Sequence, residues 1–281
     1  MIIQIKSPDQ SGIIARYTTL LFNNNANILG LEQHVEDDKK LFYMRIRVDL
    51  DSLKISQESL KEKLENLSKE LGASIRIFNA SSALKVAVFA TKEQSPVYDL
   101  LMNYRSGDLP CEIVCIVSNH NYMKDVAEDF NIPYHHIPIT KANKLEQEKK
   151  TLELLNSYNV ELVVLARYMQ ILSKGFVELY DERIINIHHG FLPAFKGQKP
   201  YHQAWERGVK MIGATAHYVT EDLDEGPIIE QDVISVNHQH SAKEMVKAGR
   251  DIERRVLTSA VKAHLERRII LHGKRTIIFH P

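Results

Sequence analysis

Residues 183–189 read Arg-Ile-Ile-Asn-Ile-His-His, and the chain runs on through Gly190-Phe191-Leu192-Pro193. Ile184, Ile185 and Ile187 are what a buried strand requires, and Asn186, His188 and His189 crowd its C-terminal end. Side chains on a strand alternate with a period of two, so Asn186 and His188 share one face and His189 takes the other. Downstream, the acidic loop Glu221-Asp222-Leu223-Asp224-Glu225 leads into Gly226-Pro227, between strand-like runs at residues 214–219 and 228–233. An amide, an imidazole and a carboxylate at strand ends can stabilise an oxyanion, carry a proton and activate a nucleophile. Asp224 is the expected base. Asp222 and Glu221 are its rivals, Glu221 the weaker because it lies farther from the Gly-Pro pair.

Outward from this stretch, strands alternate with helices. Residues 85–90, 112–118, 134–138, 162–166 and 183–187 read as strands, and 96–104, 123–130, 145–158 and 174–180 as helices. Several of the strands are apolar on both faces. That predicts a mostly parallel sheet covered on both sides, with function at the strands' carboxyl ends. Residues 242–267 form a long helix with Met245, Ile252, Val256, Ala260, Val261 and Leu265 as its core stripe. Residues 269–271 and 276–279 close the chain as a hairpin around Gly273. The N-terminal part has a different rhythm: strands at 2–6, 28–35, 42–48 and 74–78, helices at 13–23 and 53–71. This βαββαβ order predicts a four-stranded sheet with two helices on one face. The polar segment 79–82 reads as a linker, giving an α/β protein with domains at 1–80 and 84–281.

The chain has 281 residues and equal numbers of basic and acidic side chains, 36 each, so bulk electrostatics favour neither nucleic acid nor a membrane surface. Cys111 and Cys115 would share a strand face at a spacing unsuited to a disulfide, which predicts reduced thiols. With no signal peptide and no apolar run of membrane-spanning length, the expected compartment is the cytoplasm. His188 and His189 face opposite ways and have no carboxylate-rich ligand set beside them. No metal is expected, and no redox cofactor.

Residues 1–80 resemble the ACT domain, through the Asp9-x-x-Gly12-Ile13 turn and the Asn27-Ile28 entry to the second strand. The resemblance implies a regulatory module that binds an amino acid at Asp9, Gly12 and Asn27, commonly across a dimer interface, and hence a homo-oligomer. The residues alone allow a plainer alternative, with Asp9 capping the helix and Gly12 letting two backbones pack closely.

From Asn186 onward the chain resembles the formyltransferase family that uses 10-formyltetrahydrofolate. The signature is Asn186-x-His188, then Leu192-Pro193, then Asp224 ahead of Gly226-Pro227, with Arg167-Tyr168-Met169-Gln170-Ile171-Leu172 matching the family's pterin-pocket loop. The resemblance implies a Rossmann-like domain and catalytic roles for Asp224, His188 and Asn186. It also implies folate contacts from Met169, Ile171, Leu172, His217 and Thr220, with the folate as substrate and no cofactor. For His217 the residues leave open a simple packing role beneath the sheet. The ACT-first order and the runs Tyr104-Arg105-Ser106-Gly107 and Pro200-Tyr201-His202-Gln203-Ala204 narrow the match to the hydrolytic branch, which releases formate and tetrahydrofolate. Gly190 departs from the serine usual in that branch, which bears on turnover more than on reaction type.

One physical point separates hydrolase from transferase. A phosphorylated amine acceptor calls for a glycine-rich turn after the domain's first strand, where backbone amides hold the anion. Here the turn is Thr91-Lys92-Glu93-Gln94-Ser95-Pro96, without glycine and with a carboxylate where an anion would sit; Lys92 is the residue placed to offset it. The expected function is hydrolysis of 10-formyltetrahydrofolate, supplying formate for purine biosynthesis and balancing one-carbon pools. Formyl transfer to an amine, and a non-catalytic amino-acid or folate sensor, stay open as alternatives.

Overall fold

The structure is a computed structural model that describes residues 1–79, 83–195, 197 and 199–280. The chain divides into two compact units. The first holds β1 (Ile2–Pro8), α1 (Ile13–Asn23), β2 (Asn27–Glu36), β3 (Leu41–Asp49), α2 (Gln57–Glu70) and β4 (Ser74–Phe78). Its antiparallel sheet has the order β2-β3-β1-β4. One face packs Ile3, Ile5, Met44 and Ile46 against Ile13, Tyr17 and Leu21 of α1 and Leu60, Leu64 and Leu67 of α2. The tyrosine hydroxyl of Tyr17 meets Ser68 Oγ at 2.7 Å, which satisfies both inside that core. Ser56 caps α2 by accepting from the Ser59 amide at 3.1 Å, so the helix starts at Gln57 and not at 53 as its apolar spacing suggested.

Two local readings of the first turn are corrected. Gly12 is the N-cap of α1 and no side chain caps that end, so Asp9 does not. A Cβ on Gly12 would meet nothing within 4 Å; what needs glycine is a backbone φ of 85°, not close packing.

The second unit holds β5 (Leu84–Ala90), α3 (Ser95–Arg105), β6 (Cys111–Ser118), α4 (Lys124–Asp129), β7 (Tyr134–His136), α5 (Lys144–Ser157), β8 (Leu162–Ala166), α6 (Lys174–Leu179) and β9 (Ile184–His188). It continues with α7 (Pro200–Arg207), β10 (Met211–Tyr218), β11 (Ile228–Ser235) and α8 (Ala242–Leu265). The sheet order is β11-β10-β9-β8-β5-β6-β7. The pairs β6–β7, β5–β6, β5–β8 and β8–β9 are parallel, whereas β10 runs antiparallel to both β9 and β11. The chain winds away from β5 in both directions, and crevices open beyond the carboxyl ends of such strands. Phe89, Val163 and Leu165 on one face pack with Leu155, Phe176 and Tyr180. On the other, α8 lies over β9, β10 and β11 and beside α3. Its start is fixed by a capping box of Ser241 and Glu244. α7 was not anticipated, because its eight residues carry too short an apolar pattern to stand out. Cys115 lies in the core, Cys111 at its margin; both are free thiols, and burial pushes them up to about 12. No helix among the described residues is long and apolar enough to cross a membrane.

The C-terminal hairpin was expected within a second domain running to 281. Its strands are β12 (Ile269–His272) and β13 (Arg275–Ile278). Arg267–His272 and Ile277–Pro281 group with the first unit, and only Gly273–Thr276 with the second. The linker expected at 79–82 falls largely outside the described residues. The C-terminal grouping has a readable cause on β3. Alternation put Phe42, Met44, Ile46 and Val48 inward, which left Tyr43 and Arg45 for solvent. Both are instead buried, at 0 % and 4 % exposure. Tyr43 packs with Ile270 and Phe279, and Arg45 Nε donates to the Arg267 carbonyl at 2.9 Å. Gln4 Nε2 donates to the carbonyls of Arg267 (3.0 Å) and Ile269 (2.9 Å). The C-terminal segment is therefore the second cover of the first unit's sheet. Gln4→Leu keeps the volume and strands the Ile269 carbonyl. It should lower the urea midpoint by the equivalent of about 1–3 kcal/mol with an unchanged slope.

Candidate active site

The register of β9 against β10 builds the polar end of the site. His217 stands opposite Asn186 in the antiparallel pair, and Thr215 opposite His188. Directly opposed residues point to the same face, so four polar side chains meet there. His217 Nδ1 lies 2.8 Å from the Tyr218 carbonyl, which can only accept, so Nδ1 carries the hydrogen. Burial, with the neighbouring His188, pulls the His217 pKa below its ordinary value and keeps the ring neutral. Its Nε2 is then a bare acceptor, and Asn186 Nδ2, 3.2 Å away, must be the donor. That bond fixes which way the Asn186 amide faces and leaves the second N–H of Nδ2 for another partner.

Asp224 arrives from the loop between β10 and β11. Its Oδ2 is 3.3 Å from His188 Nδ1 and its Oδ1 3.8 Å from His217 Nε2, with the carboxylate side chain only 8 % exposed. Burial pushes this carboxyl up. The hydrogen bond and attraction from His188, then the attraction from His217 and the Gly197 backbone amide, outweigh that and hold it below the usual carboxylate value of 3.8. Of the rivals in the loop, Glu221 pairs with Lys174 at 2.8 Å, while Asp222 lines the cavity described below, its backbone carbonyl accepting from Thr220 Oγ1.

Three supports of the site left no clear mark in the sequence. Thr215 Oγ1 donates to the Gly190 carbonyl (2.9 Å) and accepts from the Leu192 amide (3.0 Å), while Gln231 Nε2 reaches both Thr215 Oγ1 and the Leu192 carbonyl at 2.9 Å. These bonds hold the turn after His188. Arg167 donates to Glu253 of α8 at 2.8 Å, Tyr201 donates to the same carboxylate at 2.9 Å, and the Arg167 carbonyl accepts from Thr91 Oγ1 at 3.0 Å. Burial raises the Glu253 carboxyl against the pull of Arg167. At the loop's far end Glu148 accepts from the Ser173 amide at 3.0 Å. Glu253 had one available signal: it sits beside Ile252 and Val256 on the apolar stripe of α8, where a carboxylate is costly unless paired.

A cavity of about 260 Å³ joins these groups. Asn186, His188, His217 and Asp224 form its polar end, and Leu165, Met169, Ile171, Leu172, Val219 and Leu223 its apolar walls. All eight site residues expected in the second unit line it, Thr220 included. Met169 and Ile171 are 55 % and 60 % exposed, an apolar mouth suited to a flat ring. His188 Nε2 is buried without a hydrogen-bond partner, and a Cβ on Gly190 would lie 2.9 Å from it. Neighbouring His189 is pushed down to about 3, by burial first and then by Arg167 and His188, so it too is neutral. No group of three His, Cys, Asp or Glu among the described residues is arranged to hold a metal ion.

The three residues expected in the first unit do not all meet. Asp9 follows β1, whose Pro8 pairs with Leu41, at the end of the sheet where β2 finishes with Glu36. Asn27 starts β2 opposite Asp49, at the other end, about 20 Å away for a seven-residue strand. None of the three lines the open depression of about 600 Å³ on α1 and α2, which is walled by residues such as Arg16, Asn24 and Lys63.

Comparison with known proteins agrees with both units. Family models for the ACT domain and for formyl transferase match residues 1–77 and 84–261. The chain is 45 % identical to the formyltetrahydrofolate deformylase of Synechocystis sp., over 98 % of this chain and 96 % of that protein. A crystal structure of a formyltetrahydrofolate deformylase from Pseudomonas syringae pv. tomato superposes with a TM-score of 0.95 at 39 % identity, covering 99 % of this chain and 94 % of that one. The glycinamide ribonucleotide transformylase 1 of Symbiobacterium toebii shares the fold over 73 % of this chain and 98 % of its own, with a TM-score of 0.68 and 27 % identity.

Two outcomes test the geometry. A Cβ on Gly226 would sit 1.7 Å from the Tyr218 carbonyl oxygen, a backbone atom that cannot yield. Gly226→Ala should therefore displace Asp224 and cut turnover by about 10²-fold, with a measurable fall in the unfolding midpoint. Because the Asp224 carboxyl is depressed in the fold, its contribution to stability is present above its unfolded pKa of about 4 and lost as pH falls through the lower folded value. The stability gap between wild type and Asp224→Asn should stay level from pH 7 to about 4 and shrink below that, read by urea unfolding across the series.

Proposed function

The chain belongs to the formyltetrahydrofolate deformylase family, and we propose that it hydrolyses 10-formyltetrahydrofolate to formate and tetrahydrofolate. The observation that carries the mechanism is the convergence of Asn186, His188 and Asp224 at the closed end of one apolar-walled cavity. The pterin enters past Met169, Ile171 and Leu172, which sets the formyl group against the polar end. The uncommitted N–H of Asn186 donates to the formyl oxygen, and His188 supports the same developing charge. Asp224, an anion at neutral pH, orients a water and takes its proton, directly or through His188. Oxygen bonds to the formyl carbon, the carbon–N10 bond breaks, N10 gains a proton, and formic acid leaves as formate. A preformed oxyanion donor of this kind is worth about 10²–10³ in rate.

Water as nucleophile is supported by the turn after β5. Glu93 stands where a phosphorylated acceptor would place its anion, and its charge is met by Arg250 at 3.0 Å. Lys92, the residue expected to offset it, lies over the Tyr122 ring. The product formate would feed purine biosynthesis and the one-carbon pool, in the cytoplasm. The ACT match supports amino-acid control from the first unit. Since Asp9 and Gly12 lie at the opposite end of the sheet from Asn27, an effector site using all three draws Asn27 from a second copy of the chain, which makes the working form a homo-oligomer.

A formate-release assay tests this reading. Wild type should turn over with EDTA present. Asn186→Ala should lose about 10²–10³ in kcat with little change in KM, and Asp224→Asn about 10²–10⁴. Strict dependence on an added amine, or chelator-sensitive turnover, would count against it. The same assay with candidate amino acids reads the effector.

A further inference from the structure

A second cavity, of about 310 Å³, adjoins the reaction cavity and holds the Glu93–Arg250 pair, but none of the groups given a role in bond making or breaking above. The two share Arg167, Met169 and His189. The second is lined further by Lys199, Arg250, Glu93, Tyr201, His202 and Val246. Three cations, Arg167, Lys199 and Arg250, thus face one carboxylate, Glu93. Arg250 holds Glu93 at 3.0 Å, so a guanidinium–carboxylate pair already exists in this space. Arg167 is tied to Glu253 through one nitrogen, but its buried Nε has no hydrogen-bond partner. Lys199 makes no ion pair among the described residues. His189, which lines both cavities, is neutral and adds no charge of its own.

We propose that this second cavity binds the formate product and is its way out while tetrahydrofolate still fills the first. The inference rests on the hydrolytic reading above. Formate arises at the closed end of the reaction cavity, behind the folate, whose ring occupies the apolar mouth at Met169 and Ile171. The two cavities meet at Arg167, Met169 and His189, so passage from one to the other runs past these side chains. Formate is a small carboxylate, and the cavity offers groups that bind one: the Lys199 ammonium, with the guanidiniums of Arg167 and Arg250 beside it. Its volume is roughly that of ten waters, so the anion arrives partly hydrated. Glu93 sets the limit on affinity, because it repels a second carboxylate and occupies Arg250. The site is thereby tuned to release its occupant.

Binding of ¹³C-formate to the full chain, followed by NMR line broadening with and without tetrahydrofolate, tests the assignment. Wild type should bind formate in both cases. Lys199→Met should weaken binding about tenfold and Lys199→Arg restore it, whereas Glu93→Gln, which frees Arg250, should tighten it about tenfold. Lys199 is exposed, so its replacement leaves the fold intact. Formate as a product inhibitor should be noncompetitive with 10-formyltetrahydrofolate, as departure ahead of the folate requires. Formate affinity indifferent to both positions, or purely competitive inhibition, would overturn the proposal. Formate binding needs no turnover, so its loss here is distinguishable from failure of the hydrolytic reading, which the release assay alone decides.

Discussion

The close approach of Gly226 to the end of β10 is the constraint on which the site depends. A Cβ at that position would overlap the Tyr218 carbonyl at 1.7 Å, and the Tyr218 amide in turn donates to the Pro227 carbonyl at 2.9 Å. The returning chain is thus pressed onto the strand that carries His217. With that contact made, the loop has one way to hang over the sheet, and Asp224 falls beside His188 at a backbone φ of 57°. A non-glycine residue held in this region is strained, and the strain is tolerated because the flanking contacts over-determine the loop.

Burying a carboxylate there is costly, and the neighbours decide whether it stays charged. What holds the carboxyl down is first the hydrogen bond and attraction from His188, then His217 and the Gly197 amide. His217 stands second to His188 in this: its Nδ1 proton is committed to the Tyr218 carbonyl and its Nε2 to Asn186. His189 is neutral. His217 is thus tied to a carbonyl and an amide, whereas His188, with Nδ1 3.3 Å from Oδ2, is the histidine bonded to Asp224. Such division of labour among identical residues follows from which of them has a fixed carbonyl or burial without a carboxylate, not from the residues themselves.

The sequence makes the strand-based parts of this arrangement readable and leaves the long-range ones obscure. The period of two put Asn186 and His188 on one face, and the Gly-Pro pair singled out Asp224 among three acidic neighbours; both readings need only local geometry. The role of His217 stayed open, because its meaning lies in its register with Asn186, and an antiparallel return strand cannot be aligned from spacing alone. Thr215 and Gln231 act across strands and nothing local marks them, while Glu253, on a distant helix, showed only as a carboxylate on an apolar stripe without its partners. The C-terminal hairpin shows the same limit in the fold. Its strands were legible, but their packing over Tyr43 and Arg45 was not, since alternation assigns a face without saying what covers it. The turn at Gly12 differs in another way: the residue stands out for an effector turn, with close packing as the plainer alternative, and a positive φ is what the structure shows it supplying.

A shared fold with transformylases sharpens the question of what makes water the nucleophile. An oxyanion donor, an imidazole and a carboxylate serve either water or an amine, so they cannot make the choice. What can differ is the turn after β5, where a glycine-rich turn would suit a phosphorylated acceptor and this chain pairs Glu93 with Arg250 at 3.0 Å. An internal carboxylate on the site's own guanidinium already supplies the anion that a phosphorylated acceptor would bring. Displacing it would break an ion pair and leave Glu93 facing the incoming phosphate, an electrostatic penalty that water does not incur. An ion pair held at that turn disfavours an anionic acceptor and leaves water unaffected.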